Sequence, residues 1–247
     1  MRERHAKTVR EMCRMEQKTF VQMFQKMKAL ESQSAKRFRF EWQDCWPCLA
    51  DDTAQTSFDS HYIYHTAWAA RILARTKPPM HIDLSSSLYF SAIVSAFVPI
   101  QFYDYRLAPI ELSGLSSNRA DLLNLPFEND SIPSLSCMHV VEHIGLGRYG
   151  DPLNYNGDLL ACAELSRIVR KGGLLLFVVP IGFPRICYNA HRIYSLSQIK
   201  EMFAAFSIKE FALIPDNFLQ GIIANPPEDF VNRQKYGCGC FWLEKQG

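Results

Sequence analysis

The sequence predicts an α/β fold organised on a mostly parallel sheet, with a helical extension in front of it, and three observations carry that expectation. Two stretches, residues 81–105 and 132–182, each read as strand, helix, strand. A parallel pair of strands needs a crossover of that kind. The second stretch contains LLLFVV at 174–179, a continuous apolar run typical of a strand buried on both faces. Ahead of it, Leu159, Cys162, Ala163, Ser166 and Val169 are small or apolar side chains spaced for one face of a helix.

The bulk numbers bound the rest. A chain of 247 residues with 48% apolar content can bury a full core, which suits one large domain at 81–247 and a smaller extension at 1–80. The net charge is +2, but residues 1–40 hold 11 Lys and Arg against 4 Asp and Glu, leaving 16 against 21 beyond them. Nucleic acid is not an expected partner, because no binding motif accompanies the basic segment and the remaining surface is acidic. The longest apolar run, 88–100, is too short to cross a bilayer, which takes about 20 residues. The charged start lacks the apolar core of a signal peptide, so the expected location is cytoplasmic. Eight scattered cysteines read as reduced core residues. Cys45 with Cys48 and Cys238 with Cys240 could in principle supply four thiolates, but the second spacing is too tight for a knuckle, and no metal is expected.

In chain order, residues 1–31 form a helix with Val9, Met12, Phe20, Met23, Phe24, Met27 and Leu30 on one side. That stripe suits packing on the core, on a second copy or on a partner protein. Periodicity then disappears from 34 to 59. A second helix follows, capped by Asp59 or Ser60 and ended by Pro78-Pro79. The first crossover unit has strands at 81–84 and 100–105 around a helix at 87–97. Asp121 sits in a turn, and a strand at 132–138 ends at Met138 and His139. An insertion, GLGRYGDPLNYNG, precedes a helix capped by Asp158 and closed by Lys171 and Gly172-Gly173. Beyond the 174–179 strand come a loop with Pro184, Arg185, His191 and Arg192 and a capping box made by Ser195 and Gln198. IKEFALI and CGCFWLEK supply the last two strands.

Asp121-Leu122, LPF, CMHVVEHI, the ACAELSRIVRKGG helix and the strand after it resemble the second half of class I S-adenosylmethionine-dependent methyltransferases. The likeness is greatest to small-molecule O-methyltransferases of the ubiquinone-biosynthesis type and spans roughly residues 81–215. The whole chain also resembles a little-characterised methyltransferase-like family described as a domain of unknown function. The resemblance implies a Rossmann-like sheet of seven strands with an antiparallel edge and S-adenosylmethionine as cofactor. The family's first motif, an acidic residue followed by alternating glycines, falls on Asp83, with Ser85, Ser87 and Tyr89 in the glycine places. Serine hydroxyls and helix-start amides can still hold a carboxylate. A dinucleotide pyrophosphate needs the glycines more, which disfavours a nicotinamide enzyme.

Asp104, at the end of the second strand, is placed to accept from ribose hydroxyls, the competing explanation being a surface carboxylate paired with Arg106. The resemblance puts Asp121 and Leu122 beside the adenine; a turn-capping aspartate is the alternative. Met138 completes the expected cofactor set. His143 is the first choice for a general base, with His139 and His191 behind it, since a neutral imidazole suits removal of a hydroxyl proton. His143 can equally fix its loop. The resemblance implies that the second helix covers the cofactor and helps form the acceptor pocket, which makes His61, Tyr62, Tyr64 and His65 either acceptor contacts or partly buried anchors of that helix. Glu142, Arg148, Tyr149 and Arg192 on the loops are further acceptor candidates. The resemblance thus implies methyl transfer, and the residues are read as serving a small or saccharide-like acceptor methylated at oxygen. The alternative is an inactive relative that binds a partner through its first helix.

Overall fold

The computed structural model describes the backbone of residues 2–247 and, within the first helix, side chains from residue 17 onward. The chain divides into two compact units, Met1–Ser57 and Phe58–Gly247. The contact boundary therefore counts the second helix with the sheet. In the first unit α1 (Arg2–Ser32) carries Phe24, whose ring lies 4.8 Å from Phe40 and 5.0 Å from Trp42. Met23, Met27 and Leu30 are exposed along an apolar groove of the same unit. Val9 and Met12 of the expected stripe fall outside the described side chains.

In the second unit α2 (Ser60–Thr76) starts where Asp59 accepts from the Tyr62 amide at 3.1 Å and stops at Lys77, which adopts φ +45°. The first crossover is β1 (His81–Leu84), α3 (Leu88–Val94) and β2 (Ile100–Asp104). β3 (Leu115–Arg119) runs parallel to β2. β4 (Ile132–Met138), α4 (Gly157–Ile168) and β5 (Val169–Ile181) make the second crossover. A hairpin of β6 (Arg185–Cys187) and β7 (His191–Ile193) leads to α5 (Leu196–Met202), and β8 (Phe206–Ile214) follows. β9 (Ile223–Ala224), α6 (Glu228–Asn232) and β10 (Gly237–Lys245) end the chain.

The sheet order is β3-β2-β1-β4-β5-β10-β8-β9. β10 is antiparallel to both of its neighbours, β5 and β8, and β9 is antiparallel to β8, so the antiparallel pairings gather at the β9 edge of the sheet, as expected. The two-residue β9 extends it beyond the seven strands that the resemblance implies. β3 is absent from the sequence expectation because LSSNR has a single apolar residue and pairs only with β2. One face of the sheet packs Trp68, Ala69, Ile72 and Leu73 of α2 against Phe102, Val178 and Ile214. The other packs Ala161 and Leu165 of α4 and Ile199 of α5 against Leu135, Phe177 and Phe241.

Two local expectations are corrected by this packing. The N-cap of α4 is Asn156, without a side-chain cap bond, whereas Asp158 is buried and accepts from the Tyr194 hydroxyl at 3.1 Å. Gly172-Gly173 lie in the irregular start of β5 rather than at a helix end, because the α4 hydrogen bonding stops at Ile168. The Ser195–Gln198 capping box of α5 forms with both of its bonds.

β1 buries two titratable groups of opposite behaviour. His81 lies between the Ser134 and Ser136 hydroxyls at 2.7 and 2.9 Å, and burial pushes it down to about 3. Asp83 accepts from the Ser91 hydroxyl, and burial pushes its carboxyl up to about 6. The carboxyl contribution is full below its ordinary value of 3.8 and is lost as pH rises through about 6. The imidazole contribution is full above 6.5 and is lost as pH falls toward about 3. Between pH ~4 and ~6 the two slopes oppose one another. Asp83→Asn leaves His81 unopposed, so the variant's unfolding free energy should drop with acid more steeply than the parent's, by up to about 1.4 kcal/mol per pH unit. Urea unfolding at pH 4, 5 and 6 measures this, and parallel profiles for the two proteins would refute it.

Candidate active site

The site lies outside the carboxyl ends of β1 and β4, where the strand order reverses; open α/β sheets hold ligands at such a switch point. Each strand is followed by a non-glycine residue in the left-handed region, Ser85 at φ +57° and His139 at φ +57°. Such backbone is uncommon outside glycine and concentrates at functional sites. Ser85 thereby takes up a glycine-type conformation in the turn that lacks the motif's glycines. Its amide donates to the Tyr103 carbonyl at 2.8 Å, while the neighbouring Ser86 hydroxyl accepts from the Met138 amide at 3.1 Å. Ser86 thus ties the two strand ends together, a role that no sequence signal marks.

A cleft of about 200 Å³ opens there, lined by Ser85, Asp104, Asp121, Leu122, His139, His143 and Tyr149 among others. Asp104 accepts from the Arg106 amide at 2.8 Å and Asp121 from the Leu123 amide at 2.9 Å, each through Oδ1. The Arg106 guanidinium is instead 4.9 Å from the Tyr149 ring, so the expected alternative of an Asp104–Arg106 side-chain pair is not what forms. Asp83, Ser87 and Met138 are absent from the cleft lining. Asp83 and Met138 are fully buried, turned into the sheet's interior, and Ser87 is the N-cap of α3.

A second cavity, of about 530 Å³, adjoins the first and is lined by Asp59, His61, Tyr62, Glu142, Arg148, His191, Asp216 and Tyr236, together with His139, His143 and Tyr149. The last three line both spaces. His65 is buried beneath, donating from Nδ1 to the His61 carbonyl at 2.7 Å. Arg192 is buried and donates to the carbonyls of Ile144 at 2.7 Å and Tyr155 at 3.0 Å. It straps the 145–157 insertion down and is no contact of this cavity. Sequence reasoning missed Tyr236, whose ring stacks 5.0 Å from His61 and lies 4.8 Å from His191, and Asp216, which accepts from the amides of 235 and 236.

The histidines differ in what their nitrogens can do. His139 donates from Nδ1 to Glu142 at 2.8 Å, and its Nε2 faces the Cys238 sulfur at 3.4 Å, so both nitrogens are engaged and it is not a free base. His143 donates from Nδ1 to the Ala190 carbonyl at 2.6 Å, which leaves Nε2 with its lone pair, 3.8 Å from Glu142 Oε1. Burial holds the His143 pKa below the usual imidazole value and pushes His61 down to about 4. His191 is lowered by the same cause. At neutral pH these rings are uncharged.

A family model described as "Caenorhabditis protein of unknown function, DUF268" matches residues 101–212, less than half of the chain. No curated protein matches the sequence. Among solved structures, the chain is similar to the 1,6-didemethyltoxoflavin-N1-methyltransferase of Burkholderia thailandensis, solved with 1,6-didemethyltoxoflavin and S-adenosylhomocysteine. Identity is 11% over 74% of this chain and 79% of that one, with TM-score 0.54. It is also similar to a chain from the Haloferax volcanii complex of the Trm112 methyltransferase activator with a proposed methyltransferase, at 18% identity over 74% and 90%, with TM-score 0.50. The [4+2]-cyclase SpnF aligns at 11% identity over 73% and 81%, with TM-score 0.52, so this fold hosts more than one reaction. In sheet order, switch-point cleft and structural neighbours alike, Phe58–Gly247 has the fold of the class I S-adenosylmethionine-dependent methyltransferases.

Proposed function

We propose that the protein is an S-adenosylmethionine-dependent methyltransferase acting at a hydroxyl of a small or saccharide-like acceptor. One observation carries the proposal: the switch-point cleft and the larger cavity meet at a common wall of His139, His143 and Tyr149. Methyl transfer needs two ligands in line across such a junction.

The donor set suits a nucleoside. Asp104 and Asp121 each keep Oδ2 for ribose or adenine after the turn bonds have taken Oδ1, and Leu122 flanks them. The Ser85 hydroxyl already donates to the Tyr103 carbonyl at 3.2 Å, so a carboxylate is left the amides near the start of α3. When bound, S-adenosylmethionine supplies a methyl group already activated on a sulfonium. The chain's own work is alignment of the acceptor and exclusion of water, worth roughly 7–11 kcal/mol in favourable cases. Tyr62, His191, Tyr236 and Arg148 surround the acceptor with ring faces and donors, which suits a hydroxylated compound. His143 Nε2 takes the hydroxyl proton.

Calorimetric titration with S-adenosylhomocysteine, followed by a turnover screen over pooled hydroxylated metabolites, tests the reading. Micromolar binding and cofactor consumption with at least one pool are expected. Absence of binding would overturn the enzyme reading and favour a binding protein with this fold.

A further inference from the structure

Beneath the larger cavity, three side chains from distant parts of the chain converge with the chemistry of a metal centre. His61 comes from the first turn of α2, His139 from the end of β4 and Cys238 from the start of β10. One ligand atom from each lies within 4.8 Å of the other two. His139 Nε2 and Cys238 Sγ are 3.4 Å apart, close to the ~3.5 Å that tetrahedral Zn–N and Zn–S bonds impose on a nitrogen–sulfur pair. The His61 and His139 rings are stacked, 5.6 Å between centroids and 12° between planes, and the Cys238 thiol meets the Nε2 edge of His139.

The surroundings fit the same reading. Glu142 accepts from His139 Nδ1 at 2.8 Å, which fixes the tautomer that presents the Nε2 lone pair to the cluster. This is the carboxylate–histidine arrangement that orients metal ligands. Glu142 is 1% exposed and its Oε2 has no hydrogen-bond partner. An orphaned buried carboxylate oxygen is costly and is eased by a nearby cation. The His139 backbone is held at φ +57°, and its side chain lines the cavity. His61 and His139 both line the cavity, whereas Cys238 lies wholly beneath it.

We propose that His61, His139 and Cys238 bind a single Zn²⁺ ion, with a fourth position open to the cavity for water or an anionic oxygen of a ligand. Two neutral imidazoles and one thiolate suit this borderline-soft cation better than calcium or magnesium, which take oxygen. Binding forms a Zn–S bond at the expense of the S–H bond, and the thiol proton leaves to solvent. The site is independent of the methyl-transfer proposal, because it is measured on the protein alone.

The test uses the full chain, stripped of metal and titrated with Co²⁺ and then Zn²⁺. Wild type is expected to take up one equivalent of Co²⁺, giving thiolate-to-cobalt charge transfer and tetrahedral d–d bands that one equivalent of Zn²⁺ bleaches. Cys238→Ser should lose the charge-transfer band. His61→Ala and His139→Ala should weaken Zn²⁺ binding by about 100-fold or more, and Glu142→Gln by about 10- to 100-fold. Far-ultraviolet circular dichroism verifies that each variant is folded. Failure of wild type to show the band would overturn the proposal without recourse to any variant. Retention of the band in Cys238→Ser, with its loss in the Cys45→Ser, Cys48→Ser double variant, would overturn it by placing the metal elsewhere.

Discussion

Turnover by His143→Ala should fall about 10²- to 10⁴-fold, the usual worth of a positioned general base, while S-adenosylhomocysteine binds as in the parent. The expectation comes from the tautomer. Ala190 can only accept, so the 2.6 Å bond to its carbonyl commits the Nδ1 proton and leaves Nε2 to receive another. Burial keeps the ring neutral at the pH where it must act. Glu142 Oε1, 3.8 Å from Nε2, stands where it stabilises the imidazolium that proton transfer creates. His139 cannot substitute, its two nitrogens being held by Glu142 and Cys238. Steady-state kcat with both ligands saturating decides the matter. An alanine variant that turns over at the parental rate would remove His143 from the chemistry and leave it the looser role of fixing its loop.

Asp104→Ala is expected to weaken S-adenosylhomocysteine binding by about 100-fold or more, with a modest fall in thermal stability. A hydrogen bond to a charged group contributes about 1.5–3 kcal/mol, and a carboxylate at this strand end can accept from two ribose hydroxyls. One of its oxygens is taken by the Arg106 amide, so the variant loses a turn bond as well as a ligand contact. Asp104→Asn preserves an acceptor for that amide and should fall between parent and alanine. Titration calorimetry on the three proteins measures the series. Equal affinities across it would mean that the cleft does not hold the ribose there.

The parts of the fold that could be read from sequence are those whose causes are local. Ser195 and Gln198 announce α5 because both capping bonds lie within four residues, and LLLFVV announces β5 because a strand buried on both faces has no polar alternation. β3 escaped because an edge strand with one neighbour needs little apolar surface. The cleft was legible at Asp104 because crossover geometry fixes that strand end, and at Ser85, Asp121 and Leu122 through the family resemblance. Asp83 and Met138 obey that geometry too, yet their side chains turn inward, and alternation along so short a strand gives no advance sign of which way.

The larger cavity was legible only in part, for a related reason. His61, Tyr62, His143, Arg148, Tyr149 and His191 come from segments already marked by aromatic and basic residues. Tyr236, Asp216 and Cys238 arrive from the far end of the chain, brought in by β10 pairing between β5 and β8. Arg192 misleads in the opposite sense. Its guanidinium satisfies main-chain carbonyls 37 to 50 residues away, partners that no composition or spacing can announce.

The Tyr149 ring, held 4.9 Å from the Arg106 guanidinium and 5.1 Å from that of Arg148, is a half-exposed partition rather than a piece of core. A partition shared by two chambers makes their occupants thermodynamic correspondents: whatever factor one guest imposes on the other's dissociation constant by shifting that ring is returned in full. Order of addition would then carry no free-energy advantage of its own, and any preferred sequence of entry and exit would have to come from rates.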